Sequence, residues 1–346
     1  MELYINAFAH YLPDDRVPNS YFKDVNGLDD EWIRTRTGIS TRSKAGENEN
    51  TNTMALEAVK RLNEKLPFPI EEVDLIVAAT YSPHDTVATA AHMIQRHFKA
   101  RAARCLTVSA ACSSFINAME IVEGYFAMNK ATKAIVVASE HNTEYSNETC
   151  PQSGHLWGDG SVAIAISTMP EGEKAARILN IFTRGLGHIG KADTAVYLRP
   201  HHGGIGMPEG RDVFINACHY MIEGLNAVTN SQGIKLTDLK FIASHQANKR
   251  IMATVARQID FPEDHMLSNI EEVGNTGCPS CAIALSQNLD RVDHGDLVAL
   301  SVFGGGYSCA ITISLSKYRI KNNEGVAKNF CHSFIFNPHV INYPSA

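Results

Sequence analysis

The stretch Cys105-Leu-Thr-Val-Ser-Ala-Ala-Cys112-Ser-Ser-Phe-Ile-Asn117 decides how this chain folds. An aliphatic and β-branched run reaches two alanines and passes into a segment with helical apolar spacing, which predicts a strand turning directly into a helix. Cys112 falls at that corner. A helix N-terminus offers unpaired backbone N–H groups and the positive end of the helix dipole. Both favour a thiolate, so the corner predicts a cysteine pKa below the free value of about 8.5. Cys112 is then a nucleophile, or else a small buried side chain that packs the turn.

Outward from this corner, short apolar strands alternate with helical stretches, the pattern of an α/β protein with a buried sheet. The pattern occurs twice. Val73-Asp-Leu-Ile-Val-Ala-Ala-Thr80 and the helix from Ala90 match Leu239-Lys-Phe-Ile-Ala-Ser244 and the helix beginning near Asn248. The Cys112 segment matches Ser268-Asn-Ile-Glu-Glu-Val-Gly-Asn275 with the helix that follows it. Ala134-Ile-Val-Val-Ala-Ser matches Leu297-Val-Ala-Leu-Ser-Val, and the strand from Gly160 matches the one from Gly306. Two similar halves are predicted, 1–175 carrying the cysteine and 176–320, with an extension 321–346 that has no regular period. Equivalent loops of such halves meet in a central cleft. His245 and Asn275 both sit on loops after strands, where α/β sheets bind ligands, although a lone histidine is more often structural and Asn-Thr-Gly more often a capping turn.

Composition narrows the setting. The chain has 346 residues, 44% hydrophobic and 20% charged, enough for a large core and far from a disordered profile. No signal peptide or membrane span is legible, and eight scattered cysteines fit reduced thiols, so a cytoplasmic protein is expected. The net charge of -6 and the lack of a Lys/Arg block argue against nucleic-acid binding. Two motifs mislead. Gly185-Leu-Gly-His-Ile-Gly190 spells a dinucleotide fingerprint but leads into no apolar helix. Cys278-Pro-Ser-Cys281 has metal or redox spacing but no second pair, so two buried cysteines at a helix start are expected and no metal site.

Six ordered motifs raise a resemblance that runs from residue 1 to about residue 318. They are Asp30-Glu-Trp32-Ile-Arg-Thr-Arg36-Thr-Gly38-Ile, Ala110-Ala-Cys112, Trp157-Gly-Asp-Gly160, His245-Gln-Ala-Asn248-Lys-Arg250-Ile, Gly274-Asn275-Thr and Phe303-Gly-Gly305-Gly306. On these the chain resembles the thiolase-fold condensing enzymes, specifically β-ketoacyl-acyl-carrier-protein synthase III. The resemblance implies a five-layered αβαβα thiolase-like fold, a homodimer and a Cys112, His245, Asn275 triad. It also implies an oxyanion hole made by the backbone N–H groups of Cys112 and Gly305. The implied reaction loads an acyl group on Cys112 and joins it to malonyl-acyl-carrier protein with loss of carbon dioxide. Coenzyme A or phosphopantetheine thioesters are substrates, and no metal or redox cofactor is implied.

By the same resemblance Trp32 and Arg36 contact coenzyme A, and Phe214, Ala247 and Asn248 line the pantetheine tunnel. The family often has an arginine shortly before the Gly-Asp-Gly turn, where this chain has Pro151-Gln-Ser-Gly-His-Leu, which points to an acyl-carrier protein as the donor. Lys249, Arg250 and Arg257 recur at near-helical spacing and suit an acidic carrier. Val87 stands where acetyl-selective relatives have phenylalanine from the partner subunit, which predicts a roomier acyl pocket for medium or longer chains. A β-ketoacyl thioester extender, as in dialkylresorcinol-type pathways, would use the same residues. Cys, His and Asn in this order also describe papain-like hydrolases, but the Cys-Gly-Ser-Cys-Trp context is missing.

Overall fold

The structure, a computed structural model, describes residues 1–172 and 175–315, and the extension 321–346 lies outside the described residues. The chain runs through β1 (Leu3–Tyr11), β2 (Asp15–Pro18), α1 (Ser20–Asn26), α2 (Asp30–Thr37), β3 (Thr41–Lys44) and α3 (Thr51–Asn63). Next come β4 (Leu75–Ala79), α4 (Ala90–Phe98), β5 (Arg104–Val108), α5 (Ser114–Ala127), β6 (Lys133–Glu140), α6 (Asn142–Tyr145) and β7 (Gly160–Ser167). Then follow β8 (Ala176–Gly185), β9 (Tyr197–Arg199), β10 (Gly204–Gly206), α7 (Gly210–Ser231), β11 (Leu239–Ser244) and α8 (Lys249–Gln258). The described chain closes with β12 (Met266–Leu267), α9 (Ile270–Val273), α10 (Ser280–Ser286), β13 (Leu297–Gly304) and β14 (Ser308–Leu315).

Ten strands lie in the order β5-β4-β6-β7-β1-β8-β14-β13-β11-β12. Read outward from the central β1/β8 seam, β1-β7-β6-β4-β5 on one side repeats as β8-β14-β13-β11-β12 on the other. Polarity repeats as well. β4 is parallel to β5 and β6, as β11 is to β12 and β13, while the remaining steps are antiparallel. The duplication legible in the sequence is therefore a duplication of topology: three matched pairs occupy equivalent strands, and the segment 268–275 follows β12 as the Cys112 corner follows β5.

Strand periodicity explains the layers. In β4, Leu75, Val77 and Ala79 face one apolar cluster, and Ile76 and Ala78 face another. Being buried on both faces, the strand reads as an unbroken apolar run. Ile76 and Ile135 pack under Ala55, Val59 and Leu62 of α3 and Ile94 of α4. On the other face, Val77, Val136 and Ile164 meet Phe115, Met119 and Val122 of α5. The same central layer holds Ile283 of α10 and Leu300 and Val302 of β13. Beyond β13, Ala299 and Ile311 pack with Met221 and Leu225 of α7 and Val255 of α8. The result is the five-layered αβαβα order, with α5 and α10 sandwiched between the two halves. The strand ends that carry Cys112 and His245 open beside this central layer.

The misleading glycine run resolves simply. β8 ends at Gly185 and residues 186–196 form turns, tied down where Leu186 N–H donates to the Tyr307 carbonyl at 2.7 Å and Lys191 N–H to Asp212 Oδ1 at 3.0 Å. Cys278 and Cys281 are both buried at the start of α10.

Candidate active site

Cys112 leaves β5 through a tight corner that its two following serines knot together. Ser113 Oγ donates to the Ala110 carbonyl at 2.7 Å and pairs with Ser308 Oγ at 2.7 Å; Ser114 Oγ accepts from Ala110 N–H at 2.8 Å and donates to the Ala111 carbonyl at 2.6 Å. These bonds hold Ala111 at φ 50°, a left-handed conformation that costs a non-glycine residue about 1–3 kcal/mol and is typical of functional corners. Against this corner packs the glycine run between β13 and β14. A Cβ on Gly304 would stand 3.1 Å from Cys112 N and 3.0 Å from Ser113 N, so only glycine lets the run approach freely. The close approach aims two backbone N–H groups, those of Gly305 and of Cys112 itself, at the sulfur.

The expected depressed thiol pKa is not what the structure gives. Burial pushes the Cys112 thiol up to about 12; the N–H groups of Gly305 and Cys112 pull it down, and the Glu140 carboxyl pushes it further up. Desolvation of the charged form wins over the two donors because the sulfur is walled off from water. At rest, Cys112 is a thiol.

His245 continues the β11 ladder, its N–H donating to the Ser301 carbonyl at 2.8 Å, and its buried ring places Nδ1 2.7 Å from Ser280 Oγ. Burial lowers its pKa to about 4, against a smaller upward pull from the Gly277 carbonyl, so the imidazole is neutral at neutral pH. Asn275 follows the glycine turn after α9 and is clamped by the Trp157-Gly-Asp-Gly160 motif. Asn275 N–H donates to the Leu156 carbonyl at 2.8 Å, and Gly158 N–H donates to the Asn275 carbonyl at 3.0 Å. Gly158 is obligatory, since a Cβ there would lie 1.9 Å from the Val273 carbonyl oxygen. Asn275 Oδ1 accepts from Gly277 N–H at 3.0 Å, which fixes the amide orientation and leaves its NH₂ as a donor.

Cys112, His245 and Asn275, expected from loops of different halves, line one cavity together with Trp157, Ala247, Phe303 and Gly305. α7 supplies the opposite wall through Val213, Ala217 and Met221, one turn apart. The cavity is narrow, about 30 Å³, and this apolar wall is the surface an acyl chain or pantetheine arm would meet in it.

The other predicted contacts fall in several places. Ala247 lines the cavity. Phe214 does not: it sits half-buried in the cluster under α7. Asn248 caps α8, accepting from Arg250 N–H at 2.8 Å, and donates to the Arg36 carbonyl at 3.0 Å, so it ties α8 to α2. Arg36 lies 4.3 Å over the Trp32 ring, and His155 meets that ring edge-on at 5.5 Å, where the family's arginine is missing. Of the basic trio, Lys249 is engaged with Glu271 at 2.5 Å, while Arg250 and Arg257 are exposed two turns apart on one face of α8. Val87 is 85% exposed on the loop before α4 and does not line this chain's own cavity.

Three neighbours of the site escaped the sequence reading. Glu140 is buried and takes donors from Thr80 Oγ1, Tyr81 N–H and the N–H and hydroxyl of Ser82; burial nonetheless raises its pKa to about 7. Tyr81 lies near both Glu140 and Cys112, and its hydroxyl fills the space a side chain at Gly277 would need. Ser280 holds His245. One signal was available: an acidic residue closing the apolar run of β6 stands out as a buried charge.

Comparison with known proteins agrees with the geometry. The family model described as 3-Oxoacyl-[acyl-carrier-protein (ACP)] synthase III matches residues 106–187, and the C-terminal model of the same name matches residues 229–314. The chain is 31% identical over 317 residues to beta-ketoacyl-[acyl-carrier-protein] synthase III of Desulfotalea psychrophila, covering 89% of this chain and 98% of the relative. The synthase III 1 of Bacillus anthracis is 31% identical over 308 residues, covering 88% and 96%. The crystal structure of the Aquifex aeolicus synthase III superposes with a TM-score of 0.84 at 30% identity, covering 90% of this chain and 99% of that one. The priming beta-ketosynthase of the R1128 polyketide pathway superposes with a TM-score of 0.82 at 25% identity, covering 91% and 96%. With this fold, this duplication and a cysteine, a histidine and an asparagine around one cavity, the chain is a condensing acyltransferase that belongs to the β-ketoacyl-acyl-carrier-protein synthase III family.

Proposed function

We propose that the protein self-acylates at Cys112 from an acyl-coenzyme A or acyl-carrier thioester and condenses that acyl group with malonyl-acyl-carrier protein. The observation that carries this reading is the pair of N–H groups, from Gly305 and Cys112, aimed at a sulfur that shares its cavity with His245 and Asn275.

In the first half-reaction the Sγ–acyl bond forms as the donor's acyl–sulfur bond breaks, and the thiol proton passes to the leaving sulfur. One thioester replaces another, so the step is nearly isoenergetic, and the two N–H groups take up the charge of the tetrahedral oxyanion. In the second, the bond from the malonyl α-carbon to its carboxylate breaks and carbon dioxide leaves. The electron pair enters an enolate whose oxygen accepts from a ring N–H of His245 and the Asn275 amide. Both donors are neutral, which suits an intermediate that must attack as a carbanion rather than be protonated. The α-carbon then bonds to the acyl carbon as the Sγ–acyl bond breaks, and the released thiolate takes one proton from solvent, so that each turnover consumes one proton.

The exposed Arg250 and Arg257 on α8 suit an acidic carrier protein, and Lys249 contributes less because Glu271 already neutralises it. A homodimer is favoured by β5, a sheet-edge strand that leads straight into Cys112 with Leu106 and Val108 only half-buried. In such a dimer the exposed Val87 loop would reach the partner's site and set acyl length, with valine leaving space for medium or longer chains.

The test is intact-mass measurement after offering acyl-coenzyme A and acyl-carrier thioesters of graded length to wild type and Cys112→Ala. An adduct of one acyl group on wild type alone is expected, with octanoyl or decanoyl donors reacting at least as fast as acetyl. No Cys112-dependent adduct from any donor would sink the reading, and a strong acetyl preference would sink the chain-length part.

A further inference from the structure

We infer that Ser280 is a positioning residue that sets the tautomer of His245, placing the ring proton on Nε2. The inference rests on the reading of His245 as a hydrogen-bond donor to the enolate. Ser280 occupies the Cys278-Pro-Ser-Cys281 segment, whose cysteine spacing finds no use in the chemistry, and it is buried at the first position of α10. Its hydroxyl faces two groups. Gln246 N–H points at Ser280 Oγ from 3.3 Å, and His245 Nδ1 lies 2.7 Å from the same oxygen. A backbone N–H can only donate, so the oxygen serves Gln246 as acceptor. Among the described residues no other acceptor faces the Ser280 hydroxyl, so its own proton goes to Nδ1, which is then the unprotonated nitrogen.

A neutral imidazole carries one ring proton, and His245 is neutral because burial disfavours its charge. With Nδ1 accepting, the proton resides on Nε2, the nitrogen away from Ser280. Gln246 reinforces the arrangement from the other side. Its Nε2 donates to the Ser280 carbonyl at 3.3 Å, and its Oε1 accepts from the N–H groups of Asn269 and Ile270, both at 2.8 Å. Ser280 is thereby fixed to the segment that also carries Asn275, so both enolate donors hang from one hydrogen-bonded frame. The competing arrangement puts the proton on Nδ1, toward Ser280 Oγ, and leaves Nε2 unable to donate.

Two measurements decide between them. The first is long-range proton–nitrogen correlation on full-length protein labelled with ¹⁵N-histidine, with the His245 signals assigned by their loss in His245→Ala. An Nε2–H pattern in wild type is expected, and an Nδ1–H pattern overturns the inference whatever the activity. The second compares Ser280→Ala and Ser280→Thr in separate half-reactions. Ser280→Ala is expected to lose roughly 10- to 100-fold in kcat for malonyl decarboxylation, less than outright removal of a donor. KM and Cys112 acylation should stay within about twofold, and the ring should gain Nδ1–H character. Ser280→Thr, which keeps the hydroxyl, should recover most of the rate. Wild-type decarboxylation in Ser280→Ala, or an equal fall in acylation and decarboxylation, overturns the assignment. Failure of every donor to acylate Cys112 would count against the proposed function and leave the tautomer result standing on the spectra.

Discussion

Asn275→Ala and His245→Ala will each still take an acyl group onto Cys112, and each will lose about 100- to 1,000-fold in decarboxylation of a malonyl thioester. Acylation is served by backbone N–H groups from Gly305 and Cys112, and neither substitution touches them. Decarboxylation places charge on the enolate oxygen, and only the two side chains supply donors there. The Asn275 amide is preorganised for this, because its carbonyl end is committed to Gly277 and its backbone is clamped between Leu156 and Gly158. Preorganisation is what makes the loss large: the two side-chain donors are buried and fixed before charge develops, whereas a solvent molecule taking a missing donor's place must first be ordered there. Single-turnover acylation by mass, alongside carbon dioxide release from malonyl thioester, separates the two steps. Loss of acylation alone in both variants would reverse the role assignment.

Alkylation of Cys112 by iodoacetamide will rise about tenfold for each pH unit between pH 7 and 9, roughly 100-fold overall, with no plateau. The sign follows from burial. The thiol is pushed up to about 12, so throughout this window the thiolate is a minor species whose fraction grows in proportion to hydroxide. An ordinary exposed cysteine, with a pKa of about 8.5, would level off near the top of the same range. His245, lowered to about 4, stays neutral throughout and adds no inflection, whereas Glu140, raised to about 7, completes its ionisation at the bottom of the window and makes the rise shallower there. Site-resolved mass spectrometry of the alkylated protein gives the profile. A plateau reached by pH 8 would mean that the helix end and the two N–H groups outweigh desolvation and that the resting nucleophile is a thiolate.

Local sequence signatures end at the thiol's ionisation. A strand running into a helix at Cys112 was legible, because both elements leave local periodic signatures. The duplication was legible because strands buried on both faces read as apolar runs, as in Leu75–Ala79 of β4, residues 134–138 of β6 and their counterparts 297–300 of β13, and such runs recur visibly. Thiol ionisation was not legible. It depends on how completely Trp157, Phe303 and the glycine run between β13 and β14 exclude water from the cysteine, a property of packing that no local motif encodes. Ser280 was missed for a related reason: its spacing drew notice to the flanking cysteines, whereas its function depends on the 2.7 Å contact across the fold with His245. Phe214 shows how finely packing sorts neighbouring positions. One helical position separates it from Val213, and on α7 that is enough to move a side chain off the cavity wall.

The most direct test of the central claim starts from wild-type protein loaded with one acyl group on Cys112 and freed of excess donor, to which malonyl-acyl-carrier protein is then added. Adduct loss, carbon dioxide release and β-ketoacyl product are measured in the same sample. The account predicts that all three proceed together, one equivalent each per acylated site. Loss of the adduct as free fatty acid with no carbon dioxide would contradict it, and would make Cys112 the nucleophile of a thioester hydrolase instead.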